Sequence, residues 1–426
     1  QDQLSHEVRI ASDGDRPLSY VAGLYFFRQV LTGSPNSVFG PYGAPWLIGA
    51  TTGANATPVP ANLLDGYGQT GGTRFAVNSY AAFAEANWRI VPRLTLTGGL
   101  RYTHESKEGD YSTRVFGGPL VTSPALVNAR LGVLRPQTYS ARDSEGSLSG
   151  RANVAWQPTD DVLLYASFAR GFKSGGINMS GLPLDANNQP ALATAVIDPE
   201  RNTTWEAGIK SALWVGRLTL NLAAYHTTVR DFQATVVDSS QTVALRGYLS
   251  NIPAVRVQGF EADARLTLGR LTLVGALAHG DGTYTDYPAG PCPLERQTAA
   301  TAACDLTGQR IAGLPRWSQT LSADYAVPIG RGALFVHADS NWRSGYSGDP
   351  SLSRFTFIEG YNLTNASLGY RREDAGGKGW EIAVFARNVL GADYIQNLTI
   401  QAGNSGLILG TPSDPRTLGV TVRWRS

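Results

Sequence analysis

The chain has 426 residues and carries 36 lysines and arginines against 34 aspartates and glutamates, a formal net charge of +2. This near balance excludes the strong positive charge expected of a nucleic-acid-binding protein. Mean hydropathy is −0.16, and no segment approaches the roughly 18 to 20 consecutive apolar residues of a membrane-spanning helix. The 48 glycines and single methionine are typical of strands and loops.

Alternating apolar and polar residues predict about fifteen strands. In chain order they cover residues 2–11, 18–29, 74–90, 93–107, 147–158, 161–173, 200–214, 217–232, 254–268, 271–284, 315–328, 332–346, 357–371, 379–389 and 415–425. In residues 94–102, for example, leucine, glycine and tyrosine at even positions alternate with threonine, glycine and arginine at odd positions. A strand that exposes every second side chain to lipid can span a membrane with about ten residues.

The connections between these strands alternate between tight turns and long loops. The tight turns are at 13–17, 91–92, 159–160, 215–216, 269–270, 329–331 and 373–378. The long loops are at 30–73, 108–146, 174–199, 233–253, 285–314, 347–356 and 390–414. Outer-membrane barrels have short periplasmic turns and long extracellular loops. The sequence therefore predicts an all-β fold, a transmembrane antiparallel β-barrel.

Several segments resemble the TonB-dependent outer-membrane receptors. Residues 163–178, LLYASFARGFKSGGIN, resemble the mid-barrel signature of that family, and residues 7–25 resemble one of its hairpins. Residues 387–394, RNVLGADY, and 415–425, PRTLGVTVRWR, resemble its last two strands. Together with residues 225–232 and 258–261, these matches run along the whole chain in family order.

The resemblance implies a barrel of roughly 22 strands with a plugged lumen. Single-chain bacterial barrels have even strand numbers, so an odd count predicts that residues 1–426 are the C-terminal portion of a longer receptor. The N-terminal plug and about seven barrel strands would then be absent here. Partners implied by the family are the inner-membrane energy-coupling protein TonB, reached through the absent plug, the barrel-assembly machinery, and a small-molecule ligand. We also expect contact with outer-membrane lipid and lipopolysaccharide.

The function implied is receptor-mediated, energised uptake of a scarce ligand, above all an iron-siderophore complex. A passive porin-like channel and a non-functional receptor fragment are the alternatives. Five scattered histidines and no nucleophile motif argue against an enzyme. No cofactor, metal site or nucleic-acid partner is expected.

Candidate ligand contacts are aromatic and basic residues near the outer rim, with rim anchoring or lumen hydrogen bonding as the alternative role for each. They are Arg170, Lys173, Arg201, Trp205, Arg343 and Tyr346. Cys292 and Cys304 lie in one predicted extracellular loop, where a disulfide is favoured over two free thiols. The family usually ends on an aromatic residue recognised during assembly, and here Ser426, two residues after the lipid-facing Trp424, takes the lipid-facing position of that residue. This departure from the family means either that the chain has been trimmed by a residue or more, or that its assembly signal, Trp424 and Ser426, is weaker than usual.

Overall fold

The computed structural model describes residues 1–14, 16–48, 59–185, 187, 189–237, 247–296, 303–373, 378–400 and 407–425. Its strands are β1 Asp2–Ala11, β2 Leu18–Gly33, β3 Asn36–Val38, β4 Gly68–Val91, β5 Leu94–Phe116, β6 Gln137–Thr159, β7 Val162–Lys173, β8 Gly176–Ile177, β9 Val196–Ile197, β10 Glu200–Leu213, β11 Leu218–Val237, β12 Gly247–Leu268, β13 Leu271–Asp286, β14 Gly290–Pro291, β15 Ala303–Cys304, β16 Trp317–Ile329, β17 Gly332–Arg343, β18 Tyr346–Ser347, β19 Phe357–Ile358, β20 Tyr361–Glu373, β21 Gly379–Arg387, β22 Ile395–Ile400, β23 Ile408–Pro412 and β24 Thr417–Arg425. The helices are α1 Gly43–Leu47 and α2 Pro124–Val133, with short 3₁₀ turns at Leu192–Thr194, Leu294–Arg296 and Arg354–Thr356. Within these ranges, no helix is both long and apolar enough to cross a membrane.

One 16-stranded sheet dominates the fold. Apart from β3, which pairs with β4, its strands follow the order β1-β2-β4-β5-β6-β7-β10-β11-β12-β13-β16-β17-β20-β21-β24. Every neighbouring pair is antiparallel. Because successive strands reverse direction, the alternating connection lengths place all long connections at one end of the sheet. The predicted all-β antiparallel architecture is confirmed. We call the end with the long connections the extracellular end.

The sheet has two edges rather than a closing ladder. Over the described parts of β1 and β24, β1 pairs only with β2 and β24 only with β21. The backbone groups on the side of β1 away from β2, and on the side of β24 away from β21, therefore lack a strand partner.

Several strands extend further than the sequence predicted. β4 has 24 residues and β5 has 23, and β6 begins at Gln137. The predicted loops at 30–73, 108–146 and 233–253 were therefore wrong over the parts that β2, β4, β5, β6, β11 and β12 occupy. A 24-residue strand is roughly 80 Å long, well beyond a hydrocarbon core of about 30 Å. Above the lipid neither face needs to be apolar, so the alternation that marks a membrane strand is lost.

Residues directly opposite each other in the ladders share a face of the sheet. One face carries large exposed apolar side chains such as Leu100, Leu222 and Val420. The other carries ion pairs, including Arg151–Glu85 at 2.8 Å. The apolar face, which we call the outer face, is the one that lipid would cover, and the opposite one is the inner face.

Successive ladders show that the strands are tilted. Starting at Trp88, beside a short turn, directly opposed residues lead across the outer face to Trp317, beside a long connection. The row is Trp88, Leu96, Val154, Ala166, Ala207, Ala224, Phe260, His279 and Trp317. A row perpendicular to the strands can run from one aromatic belt to the other only if the strands are inclined to the membrane normal, as in membrane barrels.

We expect Leu222→Arg to destabilise the membrane-inserted protein by about 2–4 kcal/mol, because its side chain faces lipid midway along the span. The matched substitution Asn221→Arg should have little effect, since Asn221 faces inward and bonds Asp263 at 2.9 Å. Urea unfolding in lipid vesicles, followed by tryptophan fluorescence, measures both. Equal losses would mean that the two faces are assigned incorrectly.

Candidate functional site

The long connections form packed structure at the extracellular end. α1 and α2 share an apolar core that includes Leu64, Tyr67 and Val133. The Tyr67 hydroxyl donates to the Leu134 carbonyl at 2.8 Å, and the Arg130 guanidinium lies 5.2 Å from the centre of the Tyr67 ring. Two connections far apart in sequence are thereby held together.

The predicted disulfide is confirmed, with Cys292 and Cys304 joined by a bond of 2.05 Å. It lies where β14 pairs with β15. Nearby, Tyr287 and Leu306 pack in an apolar cluster with Val255 of β12. Burial raises the pKa of the Tyr287 phenol. The disulfide loop is therefore anchored on the sheet.

A carboxylate links this loop to the connection between β17 and β20. The Ser353 hydroxyl donates to Glu295 at 2.7 Å, and the Arg354 amide donates to the same carboxylate at 3.0 Å. Partial desolvation would raise the Glu295 pKa, but these hydrogen bonds outweigh it and lower the pKa.

A nearly buried ammonium group organises the inner face between β5 and β6. The Lys107 side chain is 4% exposed. Its Nζ lies 2.5 Å from Glu145, 2.9 Å from Glu105 and 3.9 Å from Asp143. The hydroxyl of Ser174 contacts Lys107, Glu105 and Glu145. This group of five residues, which we call the Lys107 cluster, fixes the point where the chain leaves β7.

The Lys107 cluster lies above the bilayer, because at this level the outer face is also charged: Arg142 pairs with Glu108 at 2.6 Å. Burial alone would lower the Lys107 pKa, but the hydrogen bonds that Lys107 donates to Glu145 and Glu105 raise it. Burial and the neighbouring Glu145 raise the pKa of Asp143. With one cation among three carboxylates, the cluster holds negative charge that Lys107 only partly neutralises.

Aromatic rings and a guanidinium meet at the extracellular rim near β17 and β20. The Arg343 guanidinium lies 4.9 Å from the centre of the Tyr361 ring. That ring stacks on Tyr394 with centroids 3.7 Å apart, and the Tyr346 hydroxyl lies 3.5 Å from the Gln396 carbonyl. This rim group presents one cation and several aromatic surfaces.

The structure divides the predicted ligand contacts between the two faces. Lys173 and Arg343 share the inner face with their opposed partners Glu200 and Tyr361, and Tyr346 lies beyond the end of β17. Ladder positions place the other three on the outer face, beside lipid-facing residues. These are Arg170, Arg201 and Trp205.

The structure describes one of the two residues predicted to form the assembly signal, and the role itself stays a prediction. Trp424 is directly opposite Trp380 and is 76% exposed on the outer face, whereas Ser426 lies outside the described residues. Among the residues described, no group of three or more histidine, cysteine, aspartate or glutamate side chains is placed to hold a metal ion.

An up-and-down antiparallel sheet with a lipid-compatible outer face and long connections at one end defines an outer-membrane barrel protein. The family profile "TonB dependent receptor-like, beta-barrel" matches residues 9–389. The chain therefore belongs to the TonB-dependent receptor family, whose barrels lie in the outer membrane of Gram-negative bacteria.

Curated relatives include the pesticin receptor of Yersinia pestis, 24% identical over 99% of this chain and 51% of that protein. The metal-pseudopaline receptor CntO of Pseudomonas aeruginosa is 31% identical over 37% of this chain and 20% of that protein. The solved ferric yersiniabactin uptake receptor FyuA of Yersinia pestis has a TM-score of 0.71 at 18% identity, over 99% of this chain and 54% of that chain. The chain thus spans at most about half the length of these relatives.

We expect Lys107→Met to lower stability by about 3–5 kcal/mol at pH 7, because it leaves buried carboxylates without their cation. Their folded-state pKa values should then exceed the unfolded ones, so the variant should regain stability as pH falls from 7 to 5. Lys210→Met, at an exposed lysine 5.8 Å from the Tyr165 ring, is the control. Urea unfolding at both pH values tests this, and a variant equally unstable at both would contradict it.

We expect Glu295→Gln to accelerate hydrogen exchange of the Arg354 amide at neutral pH, because the charged acceptor becomes neutral. The wild-type contact should weaken only as pH falls through the lowered folded pKa of Glu295, since a depressed carboxyl pKa stabilises the fold above it. Asp305→Asn, in the same loop but bonded to Thr307, is the control. Equal exchange in the wild type and the Glu295 variant would contradict this link between the loops.

Proposed function

We propose that this chain supplies barrel wall and ligand-capture surface for energised uptake of an iron-siderophore complex across the outer membrane. The observation that carries the proposal is the anchored extracellular end. Three separate contacts hold its connections in place, namely Tyr67 with Leu134, Glu295 with Ser353, and Ser174 in the Lys107 cluster. Fixed loops around an inner face offer a preorganised site, which reduces the ordering cost of binding.

Chemical complementarity supports a chelate as ligand. Arg343 and Lys173 offer cations to carboxylate or hydroxamate oxygens, and Tyr361 and Tyr394 offer flat surfaces. Similar proteins agree, since FyuA is a ferric yersiniabactin uptake receptor and PiuA of Acinetobacter baumannii is a siderophore receptor. For Arg170, Arg201 and Trp205, a ligand-binding role stays a prediction, and their outward direction does not support it.

The proposed partners follow from the family and from the open edges of the sheet. An unpaired backbone group in lipid costs several kcal/mol, so further strands are expected to pair with β1 and complete a barrel of about 22 strands around a plug. TonB would act through that plug. The assembly machinery would recognise the last strand at Trp424, and lipopolysaccharide would surround the outer face.

Uptake of ⁵⁵Fe-yersiniabactin by cells lacking their own receptors tests the proposal. This chain alone should give no TonB-dependent uptake, whereas the chain joined to the plug and preceding strands of a similar receptor should give saturable, TonB-dependent uptake. Saturable TonB-dependent uptake by the chain alone would contradict the proposed need for a plug. Uptake linear in concentration and independent of TonB in both forms would favour a passive porin-like channel.

Substitutions in the rim group test where the ligand binds. They are made in the chain joined to the plug and preceding strands of a similar receptor. Arg343→Ala combined with Tyr361→Ala should weaken ligand binding at least tenfold, because both the cation and the ring on which it lies are lost. Arg331→Ala, in a short turn at the opposite end, should leave binding unchanged. Equal affinities for all three proteins would exclude the rim group from the ligand site.

A further inference from the structure

Four arginines on four adjacent strands face outward at the extracellular end. They are Arg170 of β7, Arg201 of β10, Arg230 of β11 and Arg256 of β12. Their shared face follows from the ladders: Arg170 opposes Thr203, Arg201 opposes Arg230, and Thr228 opposes Arg256. Along each strand these positions are two to four residues beyond the aromatic belt formed by Phe168, Trp205, His226 and Phe260. That spacing is roughly 7–13 Å, the level of lipid headgroups.

Positive charge exceeds negative charge at this position. Arg201 and Arg230 are direct cross-strand partners, an arrangement of like charges that is destabilising without a counter-charge. Asp231 supplies one carboxylate, 3.1 Å from Arg201. In the described part of the chain, neither Arg170 nor Arg230 has a carboxylate within ion-pair distance, and both are exposed.

The arrangement also places Asp231 on this face. Its φ is 54°, and Val229 and Phe232 on either side pack in the same apolar cluster. Residues three apart in a regular strand point to opposite faces, so β11 must kink at Asp231. Arg230, opposite Ala254, is therefore the last outward residue of β11 before this kink, and the ladder with β12 resumes at Phe232.

An apolar groove lies directly below the arginines on the outer face. Its volume is about 690 Å³. Its floor is the row of small side chains Ala166, Ala207 and Ala224, and its upper wall is formed by Phe168, Trp205 and His226. The Phe168 and Trp205 rings are 4.6 Å apart. A depression in a lipid-facing surface is filled by acyl chain, since nothing else apolar is available there.

We propose that Arg170, Arg201, Arg230 and Arg256 with this groove form a binding site for a phosphorylated, multiply acylated lipid of the outer leaflet. The phosphate is held by the guanidinium forks, whose planar donors match phosphate oxygens. One acyl chain occupies the alanine-floored groove. This proposal rests on the contact with lipopolysaccharide given under Proposed function and makes that contact specific. Lipid binding requires no ligand uptake, so failure of the lipid-binding proposal can be distinguished from failure of the uptake proposal.

Native mass spectrometry of the detergent-solubilised chain with added hexa-acylated lipid A tests the site. The triple variant Arg170→Gln, Arg201→Gln, Arg230→Gln should lower lipid A affinity at least tenfold. Removing both phosphates from lipid A should produce a similar loss in the wild type and little further loss in the variant. The charge-matched control Arg217→Gln, Arg270→Gln, Arg331→Gln, at exposed turns of the opposite end, should change affinity less than twofold.

Ala207→Phe tests the groove without altering charge. It should lower lipid A affinity several-fold while leaving the retention of free inorganic phosphate unchanged. Heat-dependent gel mobility verifies that each variant is folded. Equal loss in the two triple variants, or equal binding of intact and dephosphorylated lipid A, would overturn the proposal. Phosphatidylglycerol binding as tightly as lipid A would overturn the assignment of a multiply acylated lipid.

Discussion

The fold depends on one constraint, the pairing of backbone amide and carbonyl groups where no water is available. In hydrocarbon each unpaired group costs several kcal/mol, so a strand can remain there only beside another strand. This chain meets the constraint by pairing each long strand with its neighbours in sequence order, and leaves it unmet only along the open edges of β1 and β24 in the described residues. Short turns then collect at one end and long connections at the other. The direction of every side chain follows from its position in this ladder.

Above the lipid the same ladder of paired strands continues, but neither face of the sheet needs to be apolar there. β4, β5 and β6 extend far past the apolar band, and there stability comes from side chains rather than from the membrane. Lys107 is buried among carboxylates, and Tyr67, Glu295 and the disulfide secure separate connections. The extracellular connections, which would meet a ligand, are thus fixed to the regular strands of the sheet.

The sequence predicted what alternation could reveal. Threonines between the leucines of residues 94–102 identified both faces of β5, and the unequal connections gave the topology. Residues 108–116 of β5 were missed because polar residues such as Glu108, Asp110 and Ser112 occupy the outer face as well once the lipid ends. The Lys107 cluster was missed because it joins residues from β5, β6 and the end of β7. Glu105 with Lys107, and Asp143 with Glu145, are each spaced two apart, the spacing of neighbours on one face.

Arginine positions show why composition alone could not assign these roles. Arg170 and Lys173 look equivalent as basic residues of one short run, yet a difference of three residues places Arg170 outward and Lys173 inward. The same side-chain chemistry therefore meets lipid headgroups on one face and the lumen on the other. The sign of the charge says that an anion is attracted, and position in the ladder decides which anion can reach it. Counting from a known lipid-facing residue across each short turn would have separated the outward basic residues, such as Arg170, from the inward ones, such as Lys173. Direct cross-strand partners share a face.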